Sequence, residues 1–554
     1  MHRLVTFLGI PRVSAGGARG GVEGYEQTTY RLLDANGNPT GGRVATPWIA
    51  VALADFFRPD EVVVVATAEA WAGRPDGANR ANGEALEHEL RRRGLRVEYR
   101  PIPTGLSHDE LWRQFIVLKD SLRGELDELT LDITHGLRSQ PFFAAAAMAF
   151  VTMVDENRPP LRIVYGGHDL IRTLRLDYAP IVDLSLFGEV LDWTHDIALF
   201  LQTGRVAALA DRTKKLGRVL RKSWAQAGRQ GDPPQLKELA QTIEAFARDL
   251  QTIRTGALLL GGIEGNKRQP SSARRLLDVA SAARVEVERH MPPLADVLDR
   301  ISEMARSLLF DGDALVGEKA RGVLAALADL YLSMGRYVEA ITLLREARIT
   351  AYAPPAATCP GLPEFDDGER EFVDRRLWHR QERDRARTIA EIRNDIDHAG
   401  FRRKPKKGID LIRHIESQRT DFGNLAFDPE RYKQRVLVNI SNHGWNDWSE
   451  EQKAAALRLV GRVEDVPFPQ VDPEWTLARI QSEAEKLADA LPAETTHALV
   501  QGEFTLTMAL VKRLQQRGIR CLAATTARRV EKTDDGRELR EFRFVRFRDY
   551  PPLV

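Results

Sequence analysis

Asp132, Thr134, His135, Gly136 and Arg138 fall in the run Leu129-Thr-Leu-Asp-Ile-Thr-His-Gly-Leu-Arg-Ser-Gln-Pro141, which reads as a buried strand, a turn and the start of a helix. At the carboxyl end of a parallel strand such a turn offers backbone N–H groups and the positive end of a helix dipole, both suited to a phosphate. Gly136 would let the backbone approach a ligand, Thr134 would offer a hydroxyl, and Arg138 a bidentate guanidinium. An ordinary strand-to-helix junction with a Thr cap has the same spacing, so both readings stay open. Tyr165-Gly166-Gly167-His168-Asp169 is a second junction of this kind. The Ser14–Gly24 stretch holds five glycines without the Gly-x-Gly-x-x-Gly order of a dinucleotide fingerprint, and it reads as a mobile loop.

Arg393-Asn394-Asp395-Ile396-Asp397-His398 ends a strongly charged helix that Gly400 should terminate. Of the twelve histidines only His398 follows an Arg by five residues, which chance alone would supply. Position and company carry more. Asn394 and His398 share a helical face, and Asp397 can pair with Arg393 across one turn. A His beside a fixed Arg is what metal-free cleavage of RNA requires: a proton shuttle for the 2′-hydroxyl and the leaving oxygen, and a positive charge on the phosphorane. A merely solvated helix face would look similar. A third group comprises Ser441, Asn442 and His443 after one strand, Gln501, Gly502 and Glu503 after another, and Thr525, Thr526 and Arg528 after a third. Three such strand ends should converge at the top of one sheet, where α/β ligand sites sit, unless they are simply polar loops.

The elements that must position these residues are an α/β region, an all-helical middle and a second α/β region. Up to about residue 185, strand-like runs (Leu4–Ile10, Glu61–Thr67, Val97–Tyr99, Leu129–Ile133, Arg162–Tyr165) alternate with helical stretches (within Thr46–Phe57, Glu84–Arg93, Pro141–Val154), the pattern of a doubly wound parallel sheet. From 186 to about 430, stretches such as Leu186–Val206, Leu236–Arg254 and Gly317–Ile349 keep a 3.6-residue period. From 431 the alternation returns, with strands at Arg435–Ile440, Val463–Val466, Ala498–Val500, Arg520–Ala524 and Glu541–Phe547. The boundaries expected are therefore 1–185, 186–430 and 431–554.

Composition narrows the chemistry. With 80 Lys plus Arg against 79 Asp plus Glu, a chain of 554 residues has no general attraction for polyanions, which disfavours a tail-type nucleic-acid binder. The balance is uneven, however. Residues 370–407 carry thirteen basic and seven acidic side chains, so RNA contact is expected there and little elsewhere. Two cysteines, Cys359 and Cys521, supply neither a disulfide framework nor a zinc cluster, and no metal is expected. No run is apolar and long enough to span a bilayer and the first residues do not read as a signal peptide, so no membrane partner and a cytoplasmic location are expected.

Asp132-Ile-Thr134-His135-Gly136-Leu-Arg138 resembles the Asp-x-Thr-His-Gly family of CRISPR-associated proteins. Phe7-Leu-Gly9, Tyr30, Thr46-Pro47, Glu61-Val-Val-Val-Val-Ala-Thr67 and Gly335-Arg-Tyr-Val-Glu-Ala-Ile-Thr-Leu-Leu-Arg-Glu346 extend the likeness over roughly residues 1–420. The resemblance implies a Rossmann-like sensor (CARF) domain that binds cyclic oligoadenylate made by a type III CRISPR complex. It also implies a helical HEPN ribonuclease domain acting on single-stranded RNA as a homodimer, or a higher oligomer. Gly9, Thr134, His135, Gly136, Arg138, Gly166 and Gly167 become the ligand-binding candidates, Arg393, Asn394 and His398 the catalytic ones. Cyclic tetra-adenylate is the favoured activator, although the sequence leaves ring size open, and no cofactor is implied. The C-terminal 120 or so residues are similar to CARF-like ring nucleases, which degrade the same messenger, so Ser441, Asn442, His443, Gln501, Gly502, Glu503, Thr525, Thr526 and Arg528 become candidates for that activity. Two rival readings are a sensor without catalysis and a messenger-degrading enzyme whose C-terminal domain is the sole catalyst.

Overall fold

The computed structural model describes residues 1–553 apart from 11–24, 76–77, 156–158, 265–266, 364, 379–382 and 533–537. The glycine-rich Ser14–Gly24 stretch lies outside the described residues. The chain forms two compact units, Met1–Ile197 and Ala198–Val554.

The first unit is built on an eight-stranded sheet: β1 (His2–Phe7), β2 (Thr28–Leu33), β3 (Pro39–Thr46), β4 (Glu61–Ala66), β5 (Arg96–Pro101), β6 (Glu128–Asp132), β7 (Leu161–Gly166) and β8 (Ala179–Asp183), in the order β3-β2-β8-β7-β6-β1-β4-β5. The five strands from β7 to β5 are parallel. The sheet as a whole is mixed rather than parallel throughout, because β8 runs antiparallel to β7 and β3 antiparallel to β2. The β2–β3 hairpin escaped the sequence pattern because β3 is exposed along most of its length and has no apolar alternation. The apolar central strands feed two cores. Leu4, Val62 and Val64 face one, with Ile49–Ala54, and Val5, Val63 and Val65 face the other, with Ala144, Ala147 and Met148. Helices on both faces explain why β4 reads as a continuous run of valines and not as an alternation.

In the second unit helices precede a five-stranded sheet. Apart from a two-residue ladder, β9 (Ile263–Glu264) with β10 (Lys267–Arg268), the described residues from Ala198 to Gly423 form no strand. The periodic stretch Gly317–Ile349 is two helices, Gly317–Ser333 and Tyr337–Tyr352, because Gly335 adopts φ +66 between them. The sheet orders β12 (Arg462–Pro467), β11 (Val436–Ser441), β13 (Thr495–Gln501), β14 (Arg520–Lys532) and β15 (Glu538–Asp549), with the first four parallel. β14 does not stop at Ala524 as expected. It runs on to Lys532 as one arm of a long antiparallel hairpin with β15. Among the described residues no helix is long and apolar enough to cross a membrane.

Glu369, fully buried on the Asp367–Phe372 helix, ties the helices to this sheet. Its carboxylate pairs with Arg435 just before β11, with His497 Nε2 of β13 at 2.8 Å, and with Arg520 Nη1 of β14 at 2.8 Å. Arg520 also engages Asp549 at the end of β15 and Asp366. Burial alone would raise the Glu369 pKa, but the His497 N–H and the two guanidiniums hold it at about 2. Burial pushes His497 below its ordinary 6.5, so the neutral ring donates from Nε2 and accepts at Nδ1 from the Thr496 hydroxyl.

Candidate functional site

β1 lies between β4 and β6, so the chain leaves it in opposite directions along the sheet, and a crevice opens at the strands' carboxyl ends. It is a cleft of about 1160 Å³. Gly9 lines it after β1, Thr67 after β4, Thr134, His135 and Gly136 after β6, and Gly166 at the end of β7.

The turn after β6 is locked from beneath. Asp132 is fully buried, and its Oδ2 accepts from the Thr6 hydroxyl at 2.6 Å. Its Oδ1 accepts from the Thr134 amide at 2.9 Å and from the Thr134 hydroxyl. The Thr134 oxygen in turn accepts from the Gly166 amide at 2.7 Å. Thr134 therefore clamps the end of β6 to the end of β7 and holds the turn, where the sequence suggested a free hydroxyl for phosphate. Gly136 has φ +110, and a Cβ there would lie 2.0 Å from Gln140 Oε1, which already caps the Leu137 amide. A Cβ on Gly9 would lie 3.2 Å from the Tyr25 hydroxyl, which donates to the Gly9 carbonyl at 2.7 Å.

His135 lies against Tyr25, ring centroids 5.0 Å apart. Burial lowers its pKa and raises that of Asp132, so the ring is neutral. Its Nε2 is buried with no hydrogen-bond partner among the described residues, a polar atom left for a ligand. Arg138 is exposed and does not line the cleft, and Gly167 instead donates its amide to the Pro180 carbonyl at 2.8 Å. Among the described residues that line the cleft, the Arg is Arg172, exposed on the His168–Leu174 helix beside His168 and Asp169. Its signal in the sequence was its place one helical turn after the glycine pair.

In the second unit the Arg383–Asp397 helix packs on the helices Tyr337–Tyr352 and Gly408–Gly423. Ala386, Ile389, Ile392 and Asp395 form its buried stripe, so Asn394 and His398 are left exposed and Arg393 half-buried. Arg393 Nε lies 3.3 Å from Asp397 Oδ2, and the His398 amide donates to the Asn394 carbonyl at 3.1 Å. Ala399 and Gly400, at φ +50 and +74, turn the chain out of the helix. Asp395, one helical turn before them, accepts the Lys406 amide at 3.0 Å and draws Arg402 to 3.9 Å, which folds the basic 402–407 segment back against the end of this helix.

At the carboxyl edge of the second sheet Ser441 and Gln501 are aligned in register. The Ser441 hydroxyl lies 2.8 Å from Asn439 Oδ1 and accepts the His443 amide at 3.3 Å, while Asn439 donates to Asp465 at 2.8 Å. Asn442 and His443 project from this loop, exposed. The Gln501 side chain brackets Ala524, donating to its carbonyl and accepting its amide, both at 3.2 Å. Gly502 is packed against Phe468 too closely for a Cβ. Glu503 is the N-cap of the Phe504–Gln516 helix, and the Leu506 and Thr505 amides hold its carboxyl below the usual range. Thr525, Thr526 and Arg528 are not strand-end residues, since they continue along the β14–β15 ladder opposite Arg546, Phe544 and Phe542.

Three comparisons with known proteins found matches. The model of the uncharacterized protein MJ1673 family matches residues 435–548, the segment that holds the second sheet. CRISPR-associated protein MJ1674 of Methanocaldococcus jannaschii is 30% identical over 148 residues, 26% of this chain. The chain thus spans 23% of that relative's length. The structure of Enterococcus italicus Csm6 bound to cyclic hexa-2′-fluoro-hexa-dAMP covers 77% of this chain and 94% of its own, at 11% identity and a TM-score of 0.28.

Proposed function

We propose that the chain is a type III CRISPR effector: a ribonuclease switched on by cyclic oligoadenylate, in which the first unit senses the messenger and Arg393 and His398 cut single-stranded RNA without a metal. The observation that carries the reading is the joint presence of a locked, glycine-lined cleft with an unpartnered His135 Nε2 and, on a separate unit, an exposed Arg393–His398 helix end beside the basic 402–407 segment. The 30% identical CRISPR-associated relative supports it. The cleft volume exceeds the roughly 300–1,000 Å³ of drug-sized ligand pockets, which suits an oligonucleotide. In the cleavage step His398 moves protons at the 2′-hydroxyl and the leaving 5′-oxygen, and Arg393 holds the phosphorane's charge. Assembly as a homodimer is favoured by the apolar face of the helices His108–Ser121 and Gln140–Val154, where Trp112 is 64% and Phe142 78% exposed. Messenger degradation at the Asn442–His443 edge completes the reading as a self-limiting effector.

The test is cleavage of labelled RNA by the full chain with and without cyclic tetra- or hexa-adenylate; no stimulation by either ring overturns the reading. Gly136→Ala should abolish activation. Its φ of +110 costs an L side chain about 1–3 kcal/mol and its Cβ would displace Gln140. Calorimetric titration with cyclic tetra-adenylate should show the loss directly. Trp112→Asp with Phe142→Asp should shift sedimentation towards the monomer.

A further inference from the structure

The long β14–β15 hairpin carries aromatic and basic side chains that no assigned site uses. In the ladder Thr525 faces Arg546 but Thr526 faces Phe544, so one residue of β15, Val545, bulges out. The slip keeps Phe547 and Phe544 on the same face although they are three apart in sequence, and their rings lie 5.0 Å apart. The row continues from Phe547 to Trp448 at 6.0 Å and from Trp448 to Trp445 at 5.3 Å. Trp448 is core. Trp445 and Phe544 are half-exposed, and Phe542, next along the same face, is 63% exposed.

Cations flank the row. Lys453 Nζ sits 5.8 Å over Trp445, and Arg528 faces Phe542 across the ladder. Among the described residues Arg528 has no ion-pair partner, whereas Arg546 and Arg548, opposite Thr525 and Ala523, lie on the other face of the ladder. Residues 525–548 hold eight Lys or Arg against five Asp or Glu. A second copy of the chain would bring the same excess of positive charge to this edge, whereas a strand of phosphates neutralises it. We propose that this face binds linear single-stranded RNA, with bases stacked on Trp445, Phe544 and Phe542 and phosphates held by Arg528 and Lys453. It is a nucleic-acid surface outside the 370–407 segment, and it stands whether or not His398 cleaves.

Fluorescence anisotropy of the full chain with a labelled, non-cleavable 2′-O-methyl RNA of mixed sequence tests it across a salt series. The double variant K453Q/R528Q should bind at least about fivefold more weakly and lose about 1.4 from the log–log salt slope. Trp445→Ala should weaken binding at least about fivefold with the slope kept. Arg462→Gln, on the opposite edge strand of the same sheet, is the charge control and should bind as the wild type. Double-variant affinity equal to that of the control overturns the proposal. So does a change of oligomeric state with RNA affinity unchanged, which would assign the face to a second copy. Displacement of the RNA from this face by cyclic tetra-adenylate would assign it to the messenger and overturns it as well.

Discussion

Replacing His398 by alanine should lower messenger-activated RNA cleavage by about 10²–10⁴-fold, the usual contribution of a positioned general acid or base. The fold should not notice. The ring is exposed, with no hydrogen-bond partner among the described residues, and the helix is held by Ile389, Ile392 and Asp395 on its other side. An unchanged thermal midpoint alongside lost cleavage, and intact binding of cyclic tetra-adenylate in calorimetry, is the expected signature. Activity that survives the substitution removes His398 from the mechanism. Arg393→Ala tests the charge separately, and the loss of its Asp397 contact should cost little stability because the pair is largely exposed.

The second large effect concerns Glu369. Glu369→Gln should destabilise the second unit by about 3–5 kcal/mol in chemical denaturation, because Arg435 is left buried without its counter-charge and Arg520 keeps only the less buried Asp366 and Asp549. The same network sets an acid limit. The unfolded chain takes up a proton at His497 below its ordinary 6.5 and at Glu369 below 4.5, whereas the folded chain resists both, so stability falls as pH falls. The loss begins near pH 6.5 and continues from 4.5 to about 2. In E369Q the lower part of that decline should be flattened. A mutant curve parallel to the wild type down to pH 2 would show that Glu369 is not what the acid titrates.

Local rules were legible in the sequence. Phe504–Gln516 begins where Glu503 caps it, and the apolar runs of β4, β6 and β11 carry their own strand signal. Features that depend on distant partners were not. Thr134 looked like a free hydroxyl because the amide it accepts belongs to Gly166, 32 residues on. Thr525–Arg528 looked like a loop because Thr-Thr-Ala-Arg has no apolar alternation of its own, and only pairing with β15 makes it strand. Glu369 sat at the start of the most charged stretch in plain view, yet its partners lie 66, 128 and 151 residues away, and no spacing rule reaches that far.

The Glu369 cluster also governs how the chain can be divided. A cut near residue 430, which the sequence boundaries would recommend, removes Arg435, His497 and Arg520 together and leaves the helical part with a bare carboxylate where it was fully buried. Such a fragment would report its own misfolding, and a comparison of truncated with intact protein would mistake that for lost regulation. The opposite edge of the sheet, with Asn442 and His443 exposed, can be changed by point substitution without touching the cluster. Separating the chain's activities is therefore a task for single residues rather than for scissors.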